Sequence, residues 1–421
     1  MTTSDQTLDV DLSRADLLGN RLLGKLNALR EAEPFFWSEA QQTWIVTSHQ
    51  AVAEGFRGHL PLSSARHEII ASFIPDAAER EKHIGYLMEV LPTWVNFSDP
   101  PQQQRLRRLM LKAFSKQVAE SYRPYVRQVV AETLDSVAGR DVVEVVEEVA
   151  RPVPARMILR LMGLGEEYYP NLKDWSLLAN NGLSGYPTIE SMAATNQSFL
   201  DMRALFLEEI ARRRKAPTDD FLSSLVTARE GSDELSELEI LGICHLILLA
   251  GHDSTTNTIA LGIAALADDP EAAEYMRTHP EKIGDTTMEL MRYAAMSASM
   301  TRTVSEDFEW HGHQMRKGQV VHLMIAGANR DPKIFPDPER MVMTRPQDQN
   351  MTFAPGLHHC IGHFQARMQL SEFFPELLRR YERFEMLDPD IEFSNGLSFR
   401  GPLELKMRLI PRRPGLDQAA E

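Results

Sequence analysis

Residues 353–362 read F-A-P-G-L-H-H-C-I-G, a glycine-bearing turn that delivers one cysteine to the start of a helix, and the remainder of the chain is interpreted outward from it. Over residues 364–384 apolar side chains recur at three- and four-residue spacing, the period of a helix with one buried face. Cys360 thus stands among the free N–H groups of a helix start, where a thiolate is favoured. Gly356 permits a turn that other residues enter only with strain, Gly362 lets a flat ligand approach the backbone, and Phe353 is placed to cover the sulfur. A lone cysteine is more often inert packing. The ten-residue setting makes Cys360 a candidate metal ligand.

Composition bounds the rest. The chain has 421 residues, 43% hydrophobic and 25% charged, a balance that supplies a core and argues against disorder. A net charge of -15 disfavours nucleic acid or an anionic membrane as main partner, because the field repels phosphate. Residues 1–19 show no basic flank followed by an apolar run, so neither a secretory signal nor a membrane anchor is expected and the location is expected to be cytoplasmic. Cys244 and Cys360 are the two cysteines, too few for a disulfide framework. Cys244 sits in an apolar helical run and is assigned to packing.

Helical periodicity also covers residues 105–114 and 126–137, whereas the strand-like stretches 44–47, 308–310 and 320–324 are short, the last two flanking a turn at 316–318. Residues 180–187 and 215–220 are expected as loops, and no domain linker or internal repeat is present. Residues 236–268 form one long helix: Ser236 and Glu239 match a capping box, and the apolar run ICHLILLAG opens into a polar middle, GHDSTTN. His245 and that polar middle exclude a membrane span. Glu289 and Arg292 share a helix face and can pair, which by itself describes any charged helix surface. His252, His359 and His363 lack a zinc-type spacing.

Residues 353–362 resemble the haem loop F-x-x-G-x-x-x-C-x-G of the cytochrome P-450 family, with Ala354 and Pro355 where Gly usually follows Phe. The resemblance extends in order from Asp99-Pro100-Pro101 to residues 399–401, nearly the whole chain. It implies a mainly α fold with small β-sheets, the haem lying between the long central helix and the cysteine-loop helix. It also implies one domain over residues 1–421 with a flexible N-terminal tail over about residues 1–15. Cys360 is then the iron ligand of haem b, with Phe353 and Gly362 shaping its loop. Gln103, Arg107, Arg302 and His358 match the family positions that hold the propionates, Gln103 standing where His is common.

In the same way Glu289, Arg292 and Arg340 resemble a structural triad behind the haem. Asp253 and Ser254 match the acid and alcohol that guide protons to dioxygen, with Ser254 in place of the usual Thr and Thr255 beside it. By family location the substrate pocket includes Leu87, Trp94 and Val95, then Leu249 and Ala250, then Ala298 and Ser398. The implied activity is hydroxylation of a hydrophobic small molecule. With no flavin or iron–sulfur region, electrons would come from a separate ferredoxin and ferredoxin reductase, docking near Arg105, Arg108 and Lys112. The alternatives are a haem-thiolate peroxygenase, and a non-catalytic haem sensor or carrier.

Overall fold

The computed structural model describes residues 20–184, 187–230, 233–394 and 398–412, so the N-terminal tail lies outside the described residues. Helices dominate, as the periodicity requires, and the longest, Glu237–Asp268, runs through the middle of the molecule. Its start is fixed by the expected capping box: Ser236 accepts from the Glu239 N–H at 3.2 Å, and Glu239 accepts from the Ser236 N–H at 2.8 Å. Its apolar residues are buried on all sides, against Pro152–Met162 on one flank and Ile283–Ala294 on another. No helix among the described residues is long and apolar enough to cross a membrane.

A five-stranded sheet lies at one edge in the order Phe35–Ser38, Thr43–Val46, Val320–Leu323, Met300–Val304 and Leu62–Ser63. Only the Thr43–Val46 and Val320–Leu323 pair is parallel. A three-stranded sheet joins Tyr381–Met386, Lys406–Pro411 and Val143–Glu144.

Several boundaries differ from the periodicity. The helix expected over residues 364–384 is His363–Arg380, because residues 381–386 pair as a strand with Lys406–Pro411. Residues 308–310 and 320–324 are not two arms of one hairpin: Phe308–Trp310 pairs with His313–Met315, and Val320–Leu323 joins the larger sheet. Residues 180–183 are the last turn of Tyr169–Leu183, and Lys215 ends Ile189–Lys215, leaving shorter loops than expected. Local alternation cannot report which strand a segment finds.

Behind the cysteine loop, Glu289 and Arg292 are both completely buried. Arg292 donates from Nε to Glu289 Oε2 at 2.8 Å and from Nη2 to Oε1 at 2.9 Å. The second guanidinium is Arg345, which donates from Nε to Oε1 at 3.1 Å. Arg340 is exposed and contributes its carbonyl, which accepts from Arg292 Nη2 at 2.9 Å. The structure thus corrects the triad to Glu289, Arg292 and Arg345. Burial pushes the Glu289 carboxyl up, but Arg292 and the Val342 N–H outweigh it and hold the group below its ordinary value.

Glu289→Gln keeps the shape and leaves two buried guanidiniums short of a charge. We expect a loss of about 3 kcal/mol of unfolding free energy, by analogy with breaking a buried ion pair. Chemical denaturation checks this, and an unchanged midpoint would reject it.

Candidate haem-thiolate site

One cavity of about 340 Å³ lies between the central helix and the cysteine loop. Of the expected site residues, Gln103, Arg107, Arg302, Phe353, His358, Cys360 and Gly362 line it from the loop side, and Asp253, Ser254 and Thr255 from the helix. Trp94, Val95, Leu249, Ala250 and Ser398 line it as well. Leu87 and Ala298 do not: both are fully buried, Leu87 in the core cluster that backs the cavity wall and Ala298 in a separate one. Ala298 turns its backbone to Ser398, its N–H donating to the Ser398 carbonyl at 3.0 Å, so it supports the wall from behind.

The loop closes on itself. The Cys360 N–H donates to the Phe353 carbonyl at 2.9 Å, and His363 Nδ1 lies 2.9 Å from the Cys360 carbonyl. Gly356 has φ +83°, and a Cβ there would stand 2.2 Å from the Phe56 carbonyl oxygen, so only glycine fits. Ala354 sits at φ +49°, a left-handed conformation that costs a residue with a Cβ roughly 1 kcal/mol. A Cβ on Gly362 would meet nothing within 4 Å, which leaves open space on the cavity side. Burial pushes the Cys360 thiol up, while the Gly362 N–H and the Arg107 charge pull it back. A metal ion bound at this sulfur would displace its proton.

The side wall is cationic. Arg302 is buried, donates to the Thr301 carbonyl at 2.9 Å and is pushed down to about 10 by burial, with Asp99 opposing. Arg66, which sequence reasoning did not single out, also lines the cavity. Its guanidinium lies 4.3 Å over the Phe97 ring with Nε lacking a partner, and burial, then Arg302, push it down to about 9. His358 Nε2 is 3.0 Å from Ser64 Oγ, and burial and the three arginines push it down to about 3. The charged members of this wall are therefore Arg66, Arg107 and Arg302. Gln103 donates from Nε2 to the Leu357 carbonyl at 2.7 Å, which fastens its helix to the cysteine loop.

Against these cations the described lining has one carboxylate, Asp253, and it is engaged elsewhere. Asp253 Oδ1 accepts from Arg151 at 3.2 Å and lies 3.0 Å from His252 Nε2, while Oδ2 accepts from Asn180 at 2.9 Å. Although burial raises it, His252, Arg151 and Asn180 hold its carboxyl at about 2. Ser254 turns its hydroxyl to the Ala250 carbonyl at 2.9 Å. None of Arg151, His252 or Asn180 was assigned to this carboxylate from sequence, and no spacing could have signalled it.

A flat ligand with two carboxylates and a thiolate-binding metal fits what is present. Its carboxylates would complete a cationic wall that is otherwise unpaired and costly, and the open side of Gly362 would take its plane. Cys244 is fully buried in the core and does not line the cavity.

Arg105 was expected on a partner-docking face. The structure commits it instead to Asp233, with both oxygens at 2.8 Å from Nε, and to Glu239. The side chain of Lys112 lies outside the described residues.

Comparisons with known proteins agree with this geometry. Residues 186–402 match the family described as Cytochrome P-450. The chain is 32% identical to mycinamicin IV hydroxylase/epoxidase of Micromonospora griseorubida, over 93% of this chain and 96% of that protein. It is 29% identical to the biotin biosynthesis cytochrome P-450 of Bacillus subtilis (strain 168), over 86% and 89%. Among solved structures, the bacillaene polyketide synthase cytochrome P-450 of Bacillus subtilis 168 superposes with a TM-score of 0.84 at 25% identity, covering 95% of this chain and 100% of that one.

Proposed function

The chain belongs to the cytochrome P-450 family and is a haem-thiolate monooxygenase that uses dioxygen, and from this premise we propose how its own residues divide the work. The cofactor is haem b, ligated by Cys360, with its propionates received by Arg107, Arg302, His358 and the additional Arg66. Bound there, it supplies activation of dioxygen and the oxidising equivalent that hydroxylates a C–H bond. The observation that carries this reading is the joint lining of one cavity by Cys360, three guanidiniums without a free acid, and the Asp253–Ser254 pair. The described residues, between 20 and 412, are taken as one haem-binding unit.

The protein side of the chemistry is proton delivery. Asp253 is a firm anion connected outward through Arg151 to Glu147, at 3.2 Å, and through the exposed Asn180. It takes up a proton from that side and passes it inward when Ser254 leaves its bond to the Ala250 carbonyl. Thr255 lines the cavity one position along and offers a second hydroxyl. The acid–alcohol pair favours the dioxygen route over a peroxide-only route, which needs no relay.

Electrons come from a separate ferredoxin and its reductase, and the setting is the cytoplasm, where Cys360 stays reduced. The substrate is a mainly apolar small molecule, which fits the wall of Leu246, Ile247, Leu249, Met296 and Met300. The test is turnover with a bacterial ferredoxin and reductase under isotopically labelled dioxygen. Label in the product supports the proposal. Equal turnover from peroxide alone, with none from the donors, would make it a peroxygenase, and ligand binding without turnover a sensor or carrier.

Ser254 leads to a smaller prediction. Serine lacks the methyl that restricts the threonine rotamer, so its hydroxyl is less fixed in orientation than a threonine's. Ser254→Thr should roughly halve the peroxide released per reducing equivalent, the size expected of one rotamer restriction. Equal coupling in both proteins would reject it.

A further inference from the structure

Three buried polar atoms, Trp94 Nε1, Asn96 Oδ1 and Ser297 Oγ, have no hydrogen-bond partner. All three residues line the cavity. Unpaired buried polar atoms are uncommon in folded proteins because each keeps its desolvation cost, so a cluster around one cavity points to a ligand that completes them. The other unpaired lining atoms, Arg66 Nε, Gln103 Oε1, both amide atoms of Gln365 and Gln369 Oε1, belong to side chains around the cysteine loop and its helix.

The three groups are held in place. Trp94 is 5% exposed and sits between the short turns Leu91–Thr93 and Val95–Phe97, its ring 5.3 Å from Phe97 and stacked at 5.9 Å on Phe199. Asn96 belongs to the second of these turns. Ser297 is 4% exposed, and its backbone bridges to Phe399. Their chemistry is unequal: an indole N–H only donates, an amide oxygen only accepts, and a serine hydroxyl does both.

Resting on the monooxygenase reading of this cavity, we propose that the substrate is an oxygen-bearing apolar molecule rather than a plain hydrocarbon. Its carbonyl, ether or hydroxyl oxygen accepts from Trp94 Nε1, and a hydroxyl donates to Asn96 Oδ1 or pairs with Ser297 Oγ. The apolar body lies along Leu246, Ile247, Leu249, Met296 and Met300 between these anchors. The pairing fixes which carbon faces the reacting centre, so the anchors set regiochemistry as well as affinity.

The experiment is calorimetric titration of the haem-loaded protein with three probes of one skeleton: cyclododecane, cyclododecanone and cyclododecanol. Trp94→Phe keeps the aromatic packing and removes the donor. It should weaken cyclododecanone about 5- to 10-fold, the worth of one hydrogen bond, and leave cyclododecane within about two-fold. Asn96→Ala and Ser297→Ala should weaken cyclododecanol more than cyclododecanone. Equal weakening of ketone and hydrocarbon by Trp94→Phe, no weakening of either, or no binding of the ketone to the native protein would overturn the proposal. The carbon monoxide difference spectrum of each protein reports separately on thiolate ligation, so a failed haem reading is distinguished from failed anchors.

Discussion

Cys360→Ala, supplied with haem, is expected to lose all monooxygenase turnover, and its reduced carbon monoxide complex should lose the strongly red-shifted Soret band of the native protein. The cavity has one thiol, since Cys244 is buried elsewhere in the core. His358, a loop imidazole that lines the cavity, is engaged with Ser64 at 3.0 Å. The cationic wall of Arg66, Arg107 and Arg302 is untouched by the substitution, so haem should still associate, more weakly. Absorbance of the reduced carbon monoxide complex, with haem content measured in parallel, checks the result. A red-shifted band that survives in the variant would remove Cys360 from the iron and overturn the assignment.

Asp253→Asn should lower turnover by about 10³-fold, the middle of the range for a positioned acid–base group, with substrate affinity and the carbon monoxide spectrum retained. Asparagine preserves the size of the side chain and its contact with Asn180 but cannot carry the proton. Arg151 keeps its second carboxylate, Glu147, at 3.2 Å, so the loss is one of chemistry more than of folding.

The same carboxyl gives a pH expectation. Its folded value is depressed from 3.8 to about 2, with burial opposing and His252, Arg151 and Asn180 prevailing. The stability it contributes is thus present above 3.8 and is lost as pH falls through about 2. Turnover should show no inflection from this group between about pH 5 and 9, because its carboxylate stays ionised throughout. A pH–rate profile of the native protein with a carboxylate-type limb near pH 5, absent from Asp253→Asn, would reject this assignment.

Much of the site was legible because its parts lie close together along the chain. Residues 353–362 carry the ligand, the turn and the closing hydrogen bond within ten positions, and the capping box of the central helix needs four. Gly356 was legible because backbone geometry, and not a distant partner, decides it. The triad was half legible: the pair Glu289 and Arg292 is one helical turn, whereas the third member lies across the Pro-rich stretch, where Arg340 and Arg345 are alike in sequence. Arg345 is the one whose side chain turns inward.

The mainly helical class, the thiol at the head of a helix, and the acid and alcohol in the middle of the long helix follow from residue order, because helical period and turn chemistry are local. Packing in three dimensions brings Arg66 beside Arg302 and Arg107 on one wall and commits Arg105 to Asp233 and Glu239. It also decided that Asp253 is held by Arg151 and Asn180, which are 102 and 73 positions away. The physical reason is that charge pairing depends on distance through space: a guanidinium has the same local signature whether it meets a carboxylate, an aromatic ring or a bound cofactor.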